Sequence, residues 1–337
     1  MKNKKKMNCI TIDGFGGPEK LIFTSTDLPR INSSEILIKV KAAGVNRPDL
    51  LQREGKYNPP KDANPLPGLE VAGEVLKVGS KVNIFKAHDK VCALTHGGGY
   101  AEFCKVHFKH ALAIPKKLSF VEAAGIPETF FTVWTNLIDY AKAKKNETLL
   151  IHGGSSGIGT TAIQIAKNIG CKIIVTVGNE KKKKVCKKLG ANLVINYKKN
   201  NFYKEVMKFT KNKGVDIVLD MIGKDYFEDN LKMLKDRGRL VIIAFLSGNL
   251  ARLDLTEIIK KRLIVTGSTL RPRSILEKAE IAKNMQKFCW PLLKKGIIKP
   301  IIFRTFSLSD ASKAHKLMES SQHIGKIILE INKNNKE

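Results

Sequence analysis

The sequence of 337 residues predicts an α/β protein, in which a β-rich, barrel-type N-terminal domain precedes a doubly wound parallel sheet. Three observations lead to this prediction. Alternating apolar runs separated by turns fill the first third of the chain, strand and helix patterns then alternate, and a glycine-rich turn joins one such strand to its helix. The predicted domains are 8–125, completed by about 270–331, and 126–269.

Four runs in the first domain have the pattern of half-buried strands. They cover residues 36–43, 68–78, 90–94 and 100–106. Short strands in such close succession predict a compact β-barrel-type unit.

After residue 120 the pattern changes to helices and then to regular alternation of strand and helix. The helical segments 120–125 and 128–143 come first, followed by segments at 148–151, 157–169, 172–177, 180–189, 192–195, 202–210, 215–219, 226–235 and 239–243. Two more helices are predicted near 274–295 and 308–319, and a last strand at 325–330 is expected to return to the first domain.

The glycine-rich turn matches the dinucleotide-binding pattern G-x-G-x-x-G/A from Gly157 to Ala162. An apolar strand precedes it, and a second apolar run at 172–177 follows at the spacing of a βαβ unit. In this Rossmann arrangement a pyrophosphate lies on the positive end of the helix. Ser156 has two readings, as a phosphate contact and as a cap of the helix. The candidate cofactor-binding residues of the turn are Gly154, Ser156, Gly157, Ile158 and Gly159.

The residues after the second strand bear on which dinucleotide is bound. An NAD enzyme usually carries an acidic residue at the end of this strand, whereas this chain has Gly178-Asn179 followed by Glu180 and four lysines. A cation such as Lys182 suits the 2′-phosphate of NADPH. The alternative reading is a solvated helix start in a lysine-rich protein. We therefore predict NADPH rather than NADH.

Charge and composition bound the remaining function classes. Of the 60 basic residues 50 are lysines, spread along the chain, so the net charge of +29 predicts weak adhesion to polyanions rather than a specific nucleic-acid site. No apolar run approaches 20 residues, which predicts no membrane span. Residues 1–7 lack a signal core and are expected to be a disordered extension, so the predicted location is the cytoplasm.

No metal site is predicted from the cysteines or histidines. The six cysteines contain no C-x-x-C pair and are expected to be free thiols. The spacing of His96, His107, His110 and His152 fits no metal pattern, and structural roles are favoured for each.

Several further motifs extend over most of the chain. They are Ala43-Gly-Val-Asn46-Arg-Pro-Asp49-Leu-Leu-Gln52-Arg-Glu-Gly55-Lys-Tyr57, Gly68-Leu-Glu70-Val-Ala-Gly73, Gly97-Gly-Gly-Tyr-Ala-Glu102, Ala123-Ala-Gly-Ile-Pro127-Glu128-Thr-Phe-Phe-Thr132, Leu189-Gly-Ala191, Asp220-Met-Ile-Gly223 and Gly325-Lys-Ile327. With these motifs the chain resembles the medium-chain dehydrogenase/reductase superfamily, and within it the zinc-free quinone oxidoreductase branch. Zinc-dependent members carry a cysteine where this chain has Asn46 and a histidine where it has Leu69. They also carry a four-cysteine structural loop, to which no cluster here corresponds.

The resemblance implies a GroES-like N-terminal domain, a Rossmann domain and a zinc-independent transfer of hydride from NADPH to a quinone or related conjugated carbonyl. It implies that Asn46 and Tyr57 line the substrate cleft and that Lys182 and Tyr197 bind the 2′-phosphate. Further cofactor contacts are expected at Thr132, Gly178, Phe245, Ser268 and Thr269. A homodimer is expected, through edge strands near residues 265–270. The reduced acceptor can take its proton from solvent or from Tyr57.

Three alternatives stay open at this stage. One is transfer of single electrons instead of a hydride. The second is an NADPH-dependent reductase of enones or enoyl thioesters on the same fold. The third, from another class, is a non-catalytic NADPH-binding protein with weak RNA affinity.

Overall fold

The computed structural model describes residues 5–331, which divide into two compact units. Unit 1 comprises the described residues up to Phe131 together with those from Arg271 onward, and unit 2 comprises Thr132–Leu270. The units therefore divide at 131/132 and 270/271, and the domain limits at 125/126 and 269/270 stay a prediction. Among residues 5–331, no helix combines the length and the apolar character that crossing a membrane requires.

The described residues form fifteen strands and ten α-helices. The strands are β1 (Lys6–Ile12), β2 (Leu21–Asp27), β3 (Glu35–Val45), β4 (Glu70–Val78), β5 (Lys90–Leu94), β6 (Phe103–His107), β7 (Ala111–Ala113), β8 (Thr148–Ile151), β9 (Lys172–Val177), β10 (Leu193–Asn196), β11 (Val215–Asp220), β12 (Leu234–Ile242), β13 (Ile264–Gly267), β14 (Ile302–Ser307) and β15 (Lys326–Glu330). The helices are α1 (Arg47–Arg53), α2 (Phe120–Ala123), α3 (Pro127–Val133), α4 (Gly157–Ile169), α5 (Glu180–Leu189), α6 (Phe202–Phe209), α7 (Lys224–Met233), α8 (Leu255–Lys261), α9 (Ile275–Lys295) and α10 (Ala311–Glu319).

Unit 1 is built on a seven-stranded sheet with the order β14-β15-β3-β4-β5-β7, in which β6 also pairs with β3. As predicted, the last strand returns to this sheet, where β15 pairs antiparallel with β3. Strand β3 contributes Ile36, Ile38 and Val40 to its buried core, and β4 contributes Val71 and Val75, because alternate residues of a strand face the same side. The unit is the GroES-like domain that the sequence predicts.

Strands β1 and β2 form a separate antiparallel pair that the sequence analysis did not predict. The predicted disordered extension over residues 1–7 is wrong for Lys6 and Met7, which belong to β1. Met7 is buried together with Cys9 and Ala101, so packing orders this part of the chain. Residues 1–4 of the predicted extension lie outside the described residues.

Unit 2 is a six-stranded parallel sheet with the order β10-β9-β8-β11-β12-β13. The order reverses between β8 and β11, so the sheet is doubly wound in the Rossmann manner. In such sheets ligands bind outside the carboxyl ends of the strands at the point of reversal. The glycine-rich turn follows β8 and therefore lies at this point.

The predicted helix at 128–143 divides into α3 and a π-helical segment, Trp134–Tyr140. The amide Nδ2 of Asn136 donates to the carbonyl oxygen of Thr132 at 2.7 Å, which gives that carbonyl an acceptor role outside the regular helical pattern. Such π-helical turns are frequently found at functional sites. Helix α8 and strand β14 are further elements that the periodicity did not predict.

Candidate functional site

The turn after β8 is packed closely against the neighbouring strand. The N–H group of Gly154 donates to the carbonyl oxygen of Thr176 in β9 at 3.0 Å. A Cβ added to Gly154 would lie 2.5 Å from the Cβ of Val175, so only glycine fits without a shift of the strand. Glycine is needed at position 154 because the turn lies in close contact with β9.

The first turn of α4 has donor groups that no acceptor within the helix can satisfy. The hydroxyl of Ser156 caps the helix by accepting from the N–H of Gly159 at 2.9 Å. The N–H groups of Gly157 and Ile158 lie before the first intrahelical donor, the N–H of Thr160, so they have no acceptor within the helix. Together with the helix dipole they form a site suited to a phosphate group. Capping by Ser156 is compatible with the phosphate contact that the sequence analysis also left open.

A second set of predicted residues meets beyond the end of β9. Asn179 caps α5 by accepting from the backbone N–H of Lys182 at 2.9 Å. The hydroxyl oxygen of Tyr197 lies beside Gly178, at 3.0 Å from the position a Cβ would take there. Tyr197 is 42% exposed, so its hydroxyl is open to a ligand. The structure thus brings Gly178 and Tyr197 together at the start of the helix that carries Lys182.

The charge at this place is positive. Burial lowers the pKa of Lys182, and the nearby charge of Lys198 lowers it further. The acidic residue of the segment, Glu180, accepts from the side-chain amide of Asn196 at 3.1 Å, and this hydrogen bond lowers its pKa. Lys198 is a residue that the sequence analysis did not single out, although its position next to Tyr197 was available as a signal.

Two predicted cofactor contacts of unit 2 are joined through one amide side chain. The hydroxyl of Ser268, just after β13, donates to Oδ1 of Asn136 at 2.9 Å. The same Asn136 donates to the carbonyl of Thr132, so it holds the two predicted residues in place. Asn136 is fully buried and was missed by sequence reasoning, because nothing in the local pattern distinguishes it from a helical core residue. Thr269 follows Ser268 and is exposed, and Phe245, in the loop after β12, is 59% exposed.

His152, directly before the turn, is buried and makes two polar contacts. The ring of His152 contacts Thr176 Oγ1 through Nδ1 (3.1 Å) and Asn230 Oδ1 through Nε2 (2.8 Å). Burial lowers the pKa of His152 to about 4, so the ring is neutral at neutral pH. The nearby strand end at Asp220 accepts from the N–H of Gly223 at 3.2 Å, and burial raises the pKa of this carboxyl to about 6. His152 follows β8 and Asp220 ends β11, so both are buried polar groups at strand ends next to the turn.

In unit 1, Asn46 lies at the N-terminus of α1, where its side chain is fully engaged. Its Nδ2 donates to Glu70 Oε1 at 2.9 Å, and its Oδ1 accepts from Lys326 Nζ at 2.6 Å. Lys326 and Glu70 also form a direct ion pair of 2.6 Å, with both side chains buried. The backbone N–H of Asn46 donates to Asp49, which completes a capping box.

Tyr57, the second predicted substrate residue, is covered by an arginine. The guanidinium carbon of Arg271 lies 5.7 Å from the centre of the Tyr57 ring, a cation–π geometry. Arg271 is buried, and its Nη1 donates to Gln52 Oε1 at 2.7 Å, whereas its Nε and Nη2 have no hydrogen-bond partner among the described residues. Burial raises the pKa of Tyr57 despite the opposing charge of Arg271.

Glu128 begins α3 and was not identified as a site residue from the sequence. Its backbone N–H donates to Glu70 Oε2 at 2.9 Å. Burial raises the pKa of the Glu128 carboxyl to about 8, and the negative charges of Glu70 and Asp49 act in the same direction. Acidic residues are common in the first turn of a helix because the helix dipole stabilises negative charge there. The sequence therefore gave no sign that Glu128 has a functional role.

Hydrogen bonds and an ion pair join Asn46, Asp49, Glu70 and Lys326, and Glu70 also accepts the backbone N–H of Glu128. Arg271 contacts the ring of Tyr57, and its carbonyl oxygen accepts from Lys278. We call these eight residues the polar cluster. Tyr57 and Glu128 are part-exposed, whereas the other six are buried. No three His, Cys, Asp or Glu side chains among residues 5–331 are grouped so that they could hold a metal ion. The expectation of a zinc-free enzyme stays a prediction.

Comparisons with known proteins agree with this arrangement. A family model described as an alcohol dehydrogenase GroES-like domain matches residues 32–134, and one described as zinc-binding dehydrogenase matches residues 157–287. The chain is 32% identical over 329 residues to a quinone oxidoreductase of Rattus norvegicus, which covers 97% of this chain and 98% of the rat protein. A mycobacterial protein solved in complex with NADPH has a TM-score of 0.87 at 27% identity, covering 96% of this chain and 99% of that one. An NAD-dependent alcohol dehydrogenase has a TM-score of 0.86 at 29% identity, covering 97% and 100%.

Proposed function

This chain belongs to the medium-chain dehydrogenase/reductase superfamily, and we propose that within it the protein is an NADPH:quinone oxidoreductase that works without zinc. The observation that carries the proposal is the helix end of unit 2 suited to a phosphate, in a chain whose unit 1 holds a polar cluster. The name of the rat relative supports a quinone as the acceptor. Membership of the superfamily makes the chain an oxidoreductase, and the choice of cofactor and acceptor is our proposal.

The residues of unit 2 fit a dinucleotide. The free amides of Gly157 and Ile158 suit the pyrophosphate because they combine two donors with the positive end of a helix. Asn136, held between Thr132 and Ser268, would position these residues toward the nicotinamide end. When bound, the dinucleotide supplies the hydride, and the protein supplies orientation and exclusion of water.

A preference for NADPH is supported by the donor set after β9. Lys182 and Lys198 provide positive charge, and the Tyr197 hydroxyl provides a donor, which together suit a 2′-phosphate. Glu180 begins α5, and its Oε1 accepts from the side-chain amide of Asn196. The solved relatives include a complex with NADPH and an NAD-dependent enzyme, so the assignment depends on these residues of the chain itself.

For the acceptor we propose that Tyr57 donates its hydroxyl to a carbonyl oxygen. A tyrosine hydroxyl is protonated at neutral pH, and burial raises the pKa of Tyr57 further. Arg271 holds the ring from one face. Asn46 is engaged by Glu70 and Lys326 at both ends of its amide, so we assign it a positioning role in this site.

The same contacts support the proposal that the enzyme is zinc-independent. Position 46 carries an amide whose oxygen accepts from the ammonium group of Lys326. Position 69 carries a leucine, which offers no ligand atom. The family model described as zinc-binding dehydrogenase matches residues 157–287, which do not include these two positions.

We also propose a cytoplasmic homodimer that binds no specific nucleic acid. Strand β13 lies at the edge of the sheet of unit 2, and its Ile264 and Val265 are 53% and 37% exposed. An exposed apolar edge strand is suited to pairing with a second copy.

The test is oxidation of NADPH by purified protein with 1,2- and 1,4-quinones, followed by product analysis with an enone. We expect the protein to reduce quinones, and to do so faster with NADPH than with NADH. Reduction of the enone at its β-carbon without quinone turnover would instead establish the enone reductase. Absence of both activities, together with an RNA complex that survives physiological salt, would favour the non-catalytic alternative.

A further inference from the structure

Four lysine and arginine side chains among residues 5–331 are buried, and all four belong to unit 1. Two of them, Arg53 and Lys326, form ion pairs with carboxylates. The other two, Arg271 and Lys278, form no ion pair with an acidic side chain of the described residues. Buried charges are normally paired, because removing an unpaired charge from water is costly. The second pair of cations therefore lacks the negative charge that the first pair has.

The guanidinium of Arg271 is hydrogen-bonded at one end only. Its Nη1 donates to Gln52 Oε1 at 2.7 Å, whereas its Nε and Nη2 have no hydrogen-bond partner among the described residues. These two nitrogens lie on the same edge of the guanidinium, and two parallel N–H groups match the two oxygens of a carboxylate. Arg271 is 5% exposed, so bulk water does not supply the missing acceptor. The free edge is suited to an anionic group of a ligand.

Three contacts fix the position of this edge. The ammonium group of Lys278 donates to the carbonyl oxygen of Arg271 at 2.7 Å and brings a second positive charge. The guanidinium carbon lies 5.7 Å from the centre of the Tyr57 ring. A Cβ added to Gly97 would lie 3.0 Å from Nη2, so this donor borders a backbone that carries no side chain. The two free donors are thus held beside the residue proposed to bind the acceptor.

The acidic groups nearby do not neutralise these two cations. Asp49 acts on Arg271, but its carboxylate accepts from three donors of other residues. Burial raises the pKa of Glu128 to about 8, so this carboxyl is mostly protonated at neutral pH. Asp62 and Glu277 act on Lys278 and are exposed to solvent. The buried charge around Arg271 therefore stays positive.

We propose that Arg271 and Lys278 form an anion subsite beside Tyr57, and that the acceptor carries a carboxylate or a similar anionic group. This inference rests on the proposed function. The anionic group accepts from Nε and Nη2 of Arg271, and Lys278 adds its positive charge. Tyr57 is the part-exposed residue over the guanidinium, so the acceptor reaches the free edge past its ring. Arg271 is then a specificity-determining residue that selects the acceptor and leaves the hydride transfer to the dinucleotide.

The experiment compares two acceptors with the same ring system, 1,4-naphthoquinone and 1,4-naphthoquinone-2-sulfonate, in the oxidation of NADPH at physiological salt. The variants are Arg271→Met and the control Arg304→Met. Arg304 also lies over an aromatic ring of unit 1, with its guanidinium carbon 5.1 Å from the centre of Phe306, but it is exposed.

We expect Arg271→Met to lower kcat/KM for the sulfonate relative to the parent quinone by about 10- to 100-fold, the range for losing a hydrogen bond to a charged group. The loss should lie in KM rather than in kcat, because Arg271 does not take part in the chemical step. Arg271→Lys keeps the charge but not the two parallel donors and should give an intermediate ratio. Arg304→Met should keep the wild-type ratio.

A second measurement needs no variant. Naphthalene-2-sulfonate has no carbonyl to reduce, and we expect it to inhibit wild type competitively against 1,4-naphthoquinone and more strongly than the uncharged 2-naphthol. Equal inhibition by the two compounds, or an unchanged ratio in Arg271→Met, would overturn the inference while leaving the proposed function intact. Competition of the sulfonate with NADPH instead of the quinone would assign the two cations to a phosphate of the dinucleotide and would also overturn it.

Absence of turnover with both quinones would reject the proposed function and, with it, the role of the subsite in choosing an acceptor. Calorimetric titration of naphthalene-2-sulfonate into wild type and Arg271→Met tests the anion subsite separately. Weaker binding by the variant than by wild type supports the subsite, and equal binding overturns it.

Discussion

Unit 1 and unit 2 build their candidate sites from different materials. In unit 2 the phosphate site consists of backbone amides at the start of α4, and its shape depends on how closely glycines approach β9. In unit 1 the site consists of charged and polar side chains from β4, α1, α3, α9 and β15. A backbone site is therefore sensitive to added volume, and a side-chain cluster is sensitive to the loss of one charge.

The largest effect is expected from breaking the charge balance of unit 1. Lys326→Met removes the cation of the buried pair and leaves the Glu70 carboxylate, which is 0% exposed, without it. Removing one partner of a buried pair typically costs about 3–5 kcal/mol of unfolding free energy. Calorimetry should show a lower melting temperature for the transition of unit 1.

A matched control exists in unit 2. Lys232 and Glu228 have the same N–O separation of 2.6 Å, but both are exposed on α7. Lys232→Met should therefore change stability by less than about 1 kcal/mol. The double variant Lys326→Met with Glu70→Gln should recover part of the loss. Equal losses in the buried and exposed pairs would contradict the view that burial governs unit 1.

This difference in material also explains what the sequence could predict. The glycine turn, the helix that follows it and the parallel strands lie within one continuous segment, so periodicity and glycine spacing predicted the alternation of strands and helices in unit 2. The cluster of unit 1 joins residues as far apart as Asn46 and Lys326, and only the pairing of β15 with β3 brings them together. Glu128 and Arg271 gave no local signal for the same reason.

Prediction also failed where packing overrides local pattern. Lys6 and Met7 look like part of a charged extension, but β1 pairs with β2 and Met7 is buried. The segment predicted as one helix at 128–143 is helical, but its second part, Trp134–Tyr140, is a π-helix. In this part the side-chain amide of Asn136 donates to the carbonyl oxygen of Thr132. Such side-chain competition for the backbone has no periodic signature.

A smaller effect is expected from added volume in the backbone site of unit 2. Gly154→Ala would place a Cβ 2.5 Å from the Cβ of Val175, and overpacking of this kind costs about 1–3 kcal/mol. The dinucleotide should also bind more weakly, because the turn must shift away from β9. Denaturation and cofactor titration measure the two effects. Val175→Gly in the same chain removes the Cβ that the added methyl group would meet and should restore part of the cofactor affinity. Failure of this rescue would show that the turn is not limited by contact with β9.

The smallest expected effect concerns the two proposed phosphate sites of unit 2, one for the 2′-phosphate and one for the pyrophosphate. Lys182→Met removes a side-chain cation from the proposed 2′-phosphate site but leaves the amides of Gly157 and Ile158 unchanged. We expect the dissociation constant of NADPH to rise about tenfold, equivalent to about 1.4 kcal/mol. NADH lacks the 2′-phosphate, so its affinity should stay unchanged, and Lys181→Met, an exposed neighbour, should affect neither. Fluorescence titration of both dinucleotides measures this. An equal loss for NADH would mean that Lys182 supports the shared phosphates, and the division between a backbone site for the pyrophosphate and a side-chain site for the 2′-phosphate would fail.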